Sequence, residues 1–300
     1  GQTGKKTFLF AVLTGGMLGM AFLMKQQAVY FILFGGIVFL VFEFLEKPIS
    51  IPKIVLKTLA FSVGVFIPYI LVLLLMAATG AFEKFWFWTV QYASKYVSGV
   101  PWEQGKELFK MTFTPIWDEF KWIWILAIAG VLVVALTKFT LKQKVFALAF
   151  TLFAFLTTTP GFFFRQHYFV VFLPAVGLMA AIALDYLGRL ITKQVKVNAL
   201  GLVLPLLIFV VLFSGVISKN KFYYSTENPV QLCKAIYGTN PFTESVEIAK
   251  YIKANSNDTD KVAVLGSEPQ IAFYADRKSA SGHIYTYGLM EKQEYCLLYT

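Results

Sequence analysis

Apolar residues run in blocks along this chain rather than alternating with polar ones. Seven stretches stand out, at 7–24, 28–45, 59–78, 122–136, 145–158, 169–184 and 199–217. Continuous apolar runs predict helices that cross roughly 30 Å of hydrocarbon, because strands in lipid would alternate. Polar turns separate the runs: Lys25-Gln26-Gln27 divides the first two, and Glu46-Lys47-Pro48 closes the second. Segment 80–119 breaks the pattern. It interleaves Glu83, Lys84, Lys95, Glu103, Lys106, Glu107 and Lys110 with Trp86, Trp88, Tyr92, Tyr96, Trp102 and Trp117. That mixture predicts helices lying in the membrane interface. Val100-Pro101 divides the segment, since proline disfavours helix at the residue before it.

Past residue 218 the pattern becomes that of a soluble piece. Residues 244–255 carry Val246, Ile248, Ala249 and Ile252 at helical spacing, after a start signal at Pro241-Phe242-Thr243. Residues 261–266 read as a short buried strand, 268–274 as a second short helix and 283–287 as another strand. The expected fold is therefore an α-helical polytopic membrane protein of about seven transmembrane helices. Its bundle spans 1–218 with an interfacial loop at 80–119. A small C-terminal α/β domain spans 219–300.

Composition agrees: 57% of residues are hydrophobic and 15% charged, with a mean hydropathy of +0.64, far from a soluble domain. The net charge of +10 sits mostly in short loops. With Lys5 and Lys6 on one side, that side also holds Lys47, Lys53, Lys57, Lys138, Lys142, Lys144, Arg189, Lys193 and Lys196. The other side holds Lys25, the charge-balanced segment 80–119, Arg165 and the tail. The positive-inside rule makes the first side cytoplasmic and the tail extracytoplasmic. The charge thus reads as topology rather than as a nucleic-acid surface, and no RNA-binding module or zinc-finger spacing is present. Cys233 and Cys296 both lie in the tail, and their pairing stays open. With only His167 and His283, no metal site is expected, and nothing in the sequence supports a divalent cation or another cofactor. Gly266-Ser267-Glu268-Pro269 lacks the further glycines of a dinucleotide site.

Two outward cations are the candidate chemistry. Arg165 and His167, with Tyr168, sit in an aromatic turn, 160–168, at the expected start of a helix. A guanidinium offers phosphate a bidentate fork, and a helix N-terminus adds free N–H groups. Lys25, in the first outer turn, goes against the positive-inside pattern. Together they can clamp one phosphodiester; each equally suits an interfacial anchor. The outer carboxylates Glu83, Glu103, Glu107, Asp118 and Glu119 can supply a base, but each better suits a solvated helix face.

Three segments carry a resemblance. They are Gly15-Gly16-Met17-Leu18-Gly19-Met20 through Lys25, Arg165-Gln166-His167-Tyr168-Phe169 through Leu173-Pro174-Ala175, and Val264 through Ile271 with Tyr274-Ala275-Asp276-Arg277. Together they resemble C-type superfamily membrane glycosyltransferases, close to bacterial protein O-mannosyltransferase-like and lipid A aminoarabinose transferase-like enzymes. The resemblance implies a multi-pass protein of the inner (plasma) membrane. Such an enzyme moves a sugar from a polyprenyl-phosphate donor to a glycan, lipid or protein acceptor on the outer face. It also implies that Lys25, Arg165, His167 and Tyr168 bind the donor phosphate. The family's catalytic acid lies in the first outer loop after the first helix. The chain opens on Gly1 and ends just after a helix-like run, so a longer parent is expected, with that acid upstream. Two other classes fit a polytopic chain. One is a transporter or flippase, which should show inverted repeats. The other is a non-catalytic subunit of a glycan-export or membrane assembly.

Overall fold

The computed structural model describes residues 2–94, 100–266 and 268–281. The expectations for Lys95, Tyr96, Ser267, the strand at 283–287 and Cys296 lie outside these residues. The chain divides into two compact units, Gly1–Phe213 and Ser214–Thr300. The expected boundary at 218 falls five residues later, inside one helix.

Among the described residues, the regular elements of the first unit are all helical. Its elements are α1 (Gln2–Met24), α2 (Val29–Leu45), α3 (Ile51–Ala78), α4 (Phe82–Trp86), a π-helical turn (Phe87–Tyr92), α5 (Trp102–Leu136), α6 (Leu141–Leu156), α7 (Leu173–Val195) and α8 (Asn198–Lys219). Among the described residues, six stretches are long and apolar enough to cross a membrane: Lys6–Met24, Gln26–Leu45, Ile51–Ala78, Trp102–Leu136, Gln166–Val195 and Asn198–Lys219. This is a multi-pass membrane protein. The fifth predicted run forms α6, whose 16 residues reach only about 24 Å. It nonetheless runs between the two ends of the unit. Lys142 at its start meets Glu46 just after α2, and Phe155 near its end packs on Phe109 and Phe172.

Two boundaries differ from expectation. Helix α3 begins at Ile51, not 59, because Pro52 suits the first turn of a helix. Lys53 and Lys57 therefore ride on the helix. Lys57 reaches across to both carboxylate oxygens of Glu43 at 2.7 Å. Residues 102–119 do not form a separate interfacial helix. They continue into the fourth run as α5, with Pro115 inside and a non-helical residue at Phe120 marking the kink. The predicted break at Pro101 does hold, since Pro101 is the N-cap of α5.

Packing relies on glycine. A Cβ on Gly15 would collide with the Phe61 carbonyl, one on Gly19 with the Val65 carbonyl, and one on Gly64 with the Val12 carbonyl. Helices α1 and α3 thus touch backbone to backbone, which is how helices associate where lipid removes the hydrophobic drive. Gly130 of α5 lies equally close to the Met179 backbone of α7. Around that contact Trp124, Val134, Ala147, Val176 and Met179 form the core.

The second unit carries α9 (Lys221–Ser225), α10 (Pro229–Tyr237), α11 (Glu244–Ala254), β1 (Lys261–Val262), α12 (Gln270–Ala275) and β2 (Lys278–Ser279). Both predicted tail helices form. The predicted strand 261–266 shortens to β1, paired in parallel with β2. Arg277 is buried, and its guanidinium donates to the carbonyls of Lys253, Ser256, Ala275 and Asp276. It thereby caps the ends of α11 and α12, whose last carbonyls lack partners within the helix. Cys233 lies half-buried on α10 as a free thiol among the described residues.

Candidate functional site

Helix α1 ends where its apolar run meets Lys25. The Lys25 amide still donates to the Ala21 carbonyl at 3.0 Å, but the residue itself is extended (φ −156°, ψ 120°). A single 3₁₀ turn, Gln26–Ala28, then reverses the chain into α2. The Gln26 side-chain amide donates to the Thr89 carbonyl at 2.7 Å. This bond ties the hairpin to the π-helical turn, a rare and widened geometry often found beside functional sites.

The facing wall is the aromatic turn after α6. Thr157 and Thr158 are fully buried, and their hydroxyls donate back to the Ala154 and Phe155 carbonyls. The backbone then passes through the left-handed region at Gly161 (φ 69°), Phe162 (φ 54°) and Phe164 (φ 43°). Glycine adopts this freely; for each phenylalanine it costs about 1–3 kcal/mol unless packing enforces it. Packing does enforce it here. Phe162 sits on Trp102 with ring centroids 5.3 Å apart, and Phe164 is buried against Phe109 at 5.1 Å. Gly105 makes room, since a Cβ there would stand 2.6 Å from Cβ of Phe162.

The sequence predicts that Arg165 stands at the start of an α-helix, and it does not. It precedes a 3₁₀ stretch, Gln166–Phe172, and α7 starts only at Leu173, where Pro174 suits the first turn. The three left-handed residues stop the chain from entering α-helix earlier. No α-helix N-terminus therefore stands at Arg165, and what it offers an anion is its guanidinium fork.

Lys25, His167 and Tyr168 nonetheless meet. The Lys25 ammonium lies 4.9 Å from the centroid of the Tyr168 ring, a cation–π distance. His167 stands edge-on to the same ring at 4.7 Å. The Arg165 guanidinium lies 5.6 Å from the Phe163 ring, and the fields of Lys25 and Arg165 both fall on His167. Lys25, Arg165 and His167 are exposed, and Tyr168 beneath them is buried. Two cations and an imidazole on an aromatic floor can hold an anion with several negative oxygens. The five outer carboxylates are all exposed, and Glu103 is paired with Lys106. Among the described residues, no three His, Cys, Asp or Glu side chains gather as metal ligands.

Sequence alone does not mark Gln26, Thr89, Gly105, Phe162 or Phe164 as site residues, although Gln26 adjoins Lys25. The left-handed phenylalanines carry no signal in residue type. Comparison with family models, with curated proteins and with solved structures finds no match for this chain.

Proposed function

We propose that this protein is a membrane glycosyltransferase that takes a sugar from a polyprenyl-phosphate donor and places it on a glycan, lipid or protein acceptor. The observation that carries this reading is the meeting of Lys25 with Tyr168, beside His167 and Arg165, at the end of the unit opposite its lysine-rich turns. The acceptor oxygen attacks the anomeric carbon, the bond from that carbon to the phosphate oxygen breaks, and the phosphate leaves with the electron pair. Lys25 and Arg165 would take up the growing negative charge. The acceptor proton passes to a carboxylate, a role assigned to no residue here. The polar end faces the outside of the inner (plasma) membrane, by the positive-inside rule. The second unit is then a small extracytoplasmic α/β domain, a reading supported by its helices and the parallel pair of β1 with β2.

Membranes containing the protein should transfer label from a sugar-labelled polyprenyl phosphate to an endogenous acceptor. Transfer from a labelled nucleotide sugar without a lipid intermediate would overturn the proposal.

A further inference from the structure

The opposite, lysine-rich end of the first unit carries a second feature that the transfer reaction does not use. A cleft of about 340 Å³ opens there between α2, α6 and α7, within the roughly 300–1,000 Å³ typical of small-molecule sites. Its walls are Phe42, Phe139, Phe146, Leu178 and Ile182, with Lys142 and Gln143 supplying the polar groups. The Gln143 side-chain oxygen and backbone N–H close a capping box with Thr140 at the start of α6, which leaves its side chain neutral and held at the helix start. Lys142 is thus the charged group of the cleft. Its ammonium lies 5.4 Å from the Phe42 ring centroid and 3.2 Å from Oε1 of Glu46.

That pairing is easily exchanged, since both side chains are largely in solvent, at 40% and 63% exposure, and such bridges contribute little. The surrounding turns are strongly positive. Residues 43–57 and 137–144 hold Lys47, Lys53, Lys57, Lys138, Lys142 and Lys144 against Glu43 and Glu46, and Glu43 is already engaged by Lys57. An apolar cleft with a cation at its mouth, set in a lysine surplus at the end of membrane-spanning helices, fits one class of ligand. We infer that it binds an anionic membrane phospholipid, with the phosphate on Lys142 and an acyl chain along Phe42, Phe139 and Phe146. A free phosphate would leave those rings unused. A zwitterionic headgroup would carry its own ammonium into the surplus of lysines.

The test uses the whole protein in neutral detergent, with native mass spectrometry counting retained dioleoylphosphatidylglycerol and dioleoylphosphatidylcholine supplied as an equal mixture. The wild type should retain the glycerol lipid at least fivefold over the choline lipid. Lys142→Gln should bring that ratio near one, and Lys142→Arg should keep it. Ile182→Trp, which fills the cleft, should lower retention of both lipids. Lys53→Gln, which removes one charge of the surplus away from the cleft walls, should lower the ratio far less than Lys142→Gln. Equal retention by the wild type would overturn the inference. So would an unchanged ratio in Lys142→Gln, or a loss in Lys53→Gln as large as in Lys142→Gln, which would mark a diffuse lysine field. None of these readouts depends on sugar transfer, so this inference and the proposed function fail separately.

Discussion

At the scale of single residues, the candidate site depends on what each cation can offer beyond its charge. Arg165→Lys keeps the positive charge and loses the planar fork. A charge-assisted contact contributes about 1.5–3 kcal/mol, so transfer from the lipid donor should fall by roughly tenfold or more. Lys25→Ala should do the same, without unfolding the bundle, because Lys25 is exposed. The measurement is the initial transfer rate at matched expression, with helix content checked by circular dichroism. Wild-type rates in both variants would reduce these residues to interfacial anchors. A second residue-scale effect lies in the tail. The Thr243 hydroxyl donates to Oε2 of Glu244 at 2.7 Å. This bond, with the residue's own amide and Lys234, lowers the Glu244 carboxyl from 4.5 to about 2. A depressed carboxyl stabilises the folded form above its ordinary value, and the benefit is lost as pH falls from about 4.5 toward 2. A carboxyl-selective ¹³C titration should therefore place Glu244 near 2 in the wild type and distinctly higher in Thr243→Val. Lys25 and Arg165 were legible because outward cations stand out against a positive-inside pattern. The left-handed Phe162 and Phe164 were not, since only contacts with Trp102, Gly105 and Phe109 explain their backbone.

At the scale of elements, apolar blocks located nearly every helix, yet they misjudged lengths wherever charges ride on a helix. Lys53 and Lys57 look like a loop in sequence, but Lys57 finds Glu43 across the turn and stays helical. The mixed segment before residue 119 looks interfacial, but its apolar face, Phe109 and Phe113, packs on Phe169 and carries α5, through its kink at Phe120, into the bundle. Neither partner can be known from local pattern. The glycines behave differently. Gly15 and Gly19 are spaced for a close helix pair, but only the structure shows that the Phe61 and Val65 backbones receive them and that Gly64 meets Val12 and Gly16 in return. Adding a methyl at Gly64 presses on the Val12 backbone, which cannot turn aside as a side chain can. Gly64→Ala should destabilise by about 1–3 kcal/mol, the usual range for overpacking. Gly177, by contrast, sits within α7 with nothing near its missing Cβ. Gly177→Ala should stabilise by about 0.5–1 kcal/mol through helix propensity alone. Thermal unfolding of the two variants in one detergent would show shifts of opposite sign; shifts in the same direction would contradict the close approach of α1 and α3.

At the scale of the whole molecule, the question is how many times the chain crosses. Six helices pass on length and composition, and an even number would return the tail to the side of Lys6. Helix α6 changes that parity. It is short, but it joins Glu46 at one end of the unit to Phe109 and Phe172 toward the other. Its 16 residues span about 24 Å, a deficit that local thinning of the bilayer can absorb. Counting α6 makes seven crossings and puts the tail opposite Lys142 and Lys193. The basic loops require the same arrangement, because Arg189, Lys193 and Lys196 toward the end of α7 would otherwise lie outside. In a background with Cys233→Ser and Cys296→Ser, Lys142→Cys and Lys193→Cys should resist a membrane-impermeant maleimide in intact cells, and both should react once the membrane is opened. Asn257→Cys should react in intact cells. Labelling at Lys193 with Lys142 and Asn257 shielded would mean that α6 does not cross and that the tail is cytoplasmic. Labelling at Lys142 and Lys193 with Asn257 shielded would turn the whole bundle over and move Lys25 and Arg165 to the side where a lipid-linked sugar could not be used as proposed.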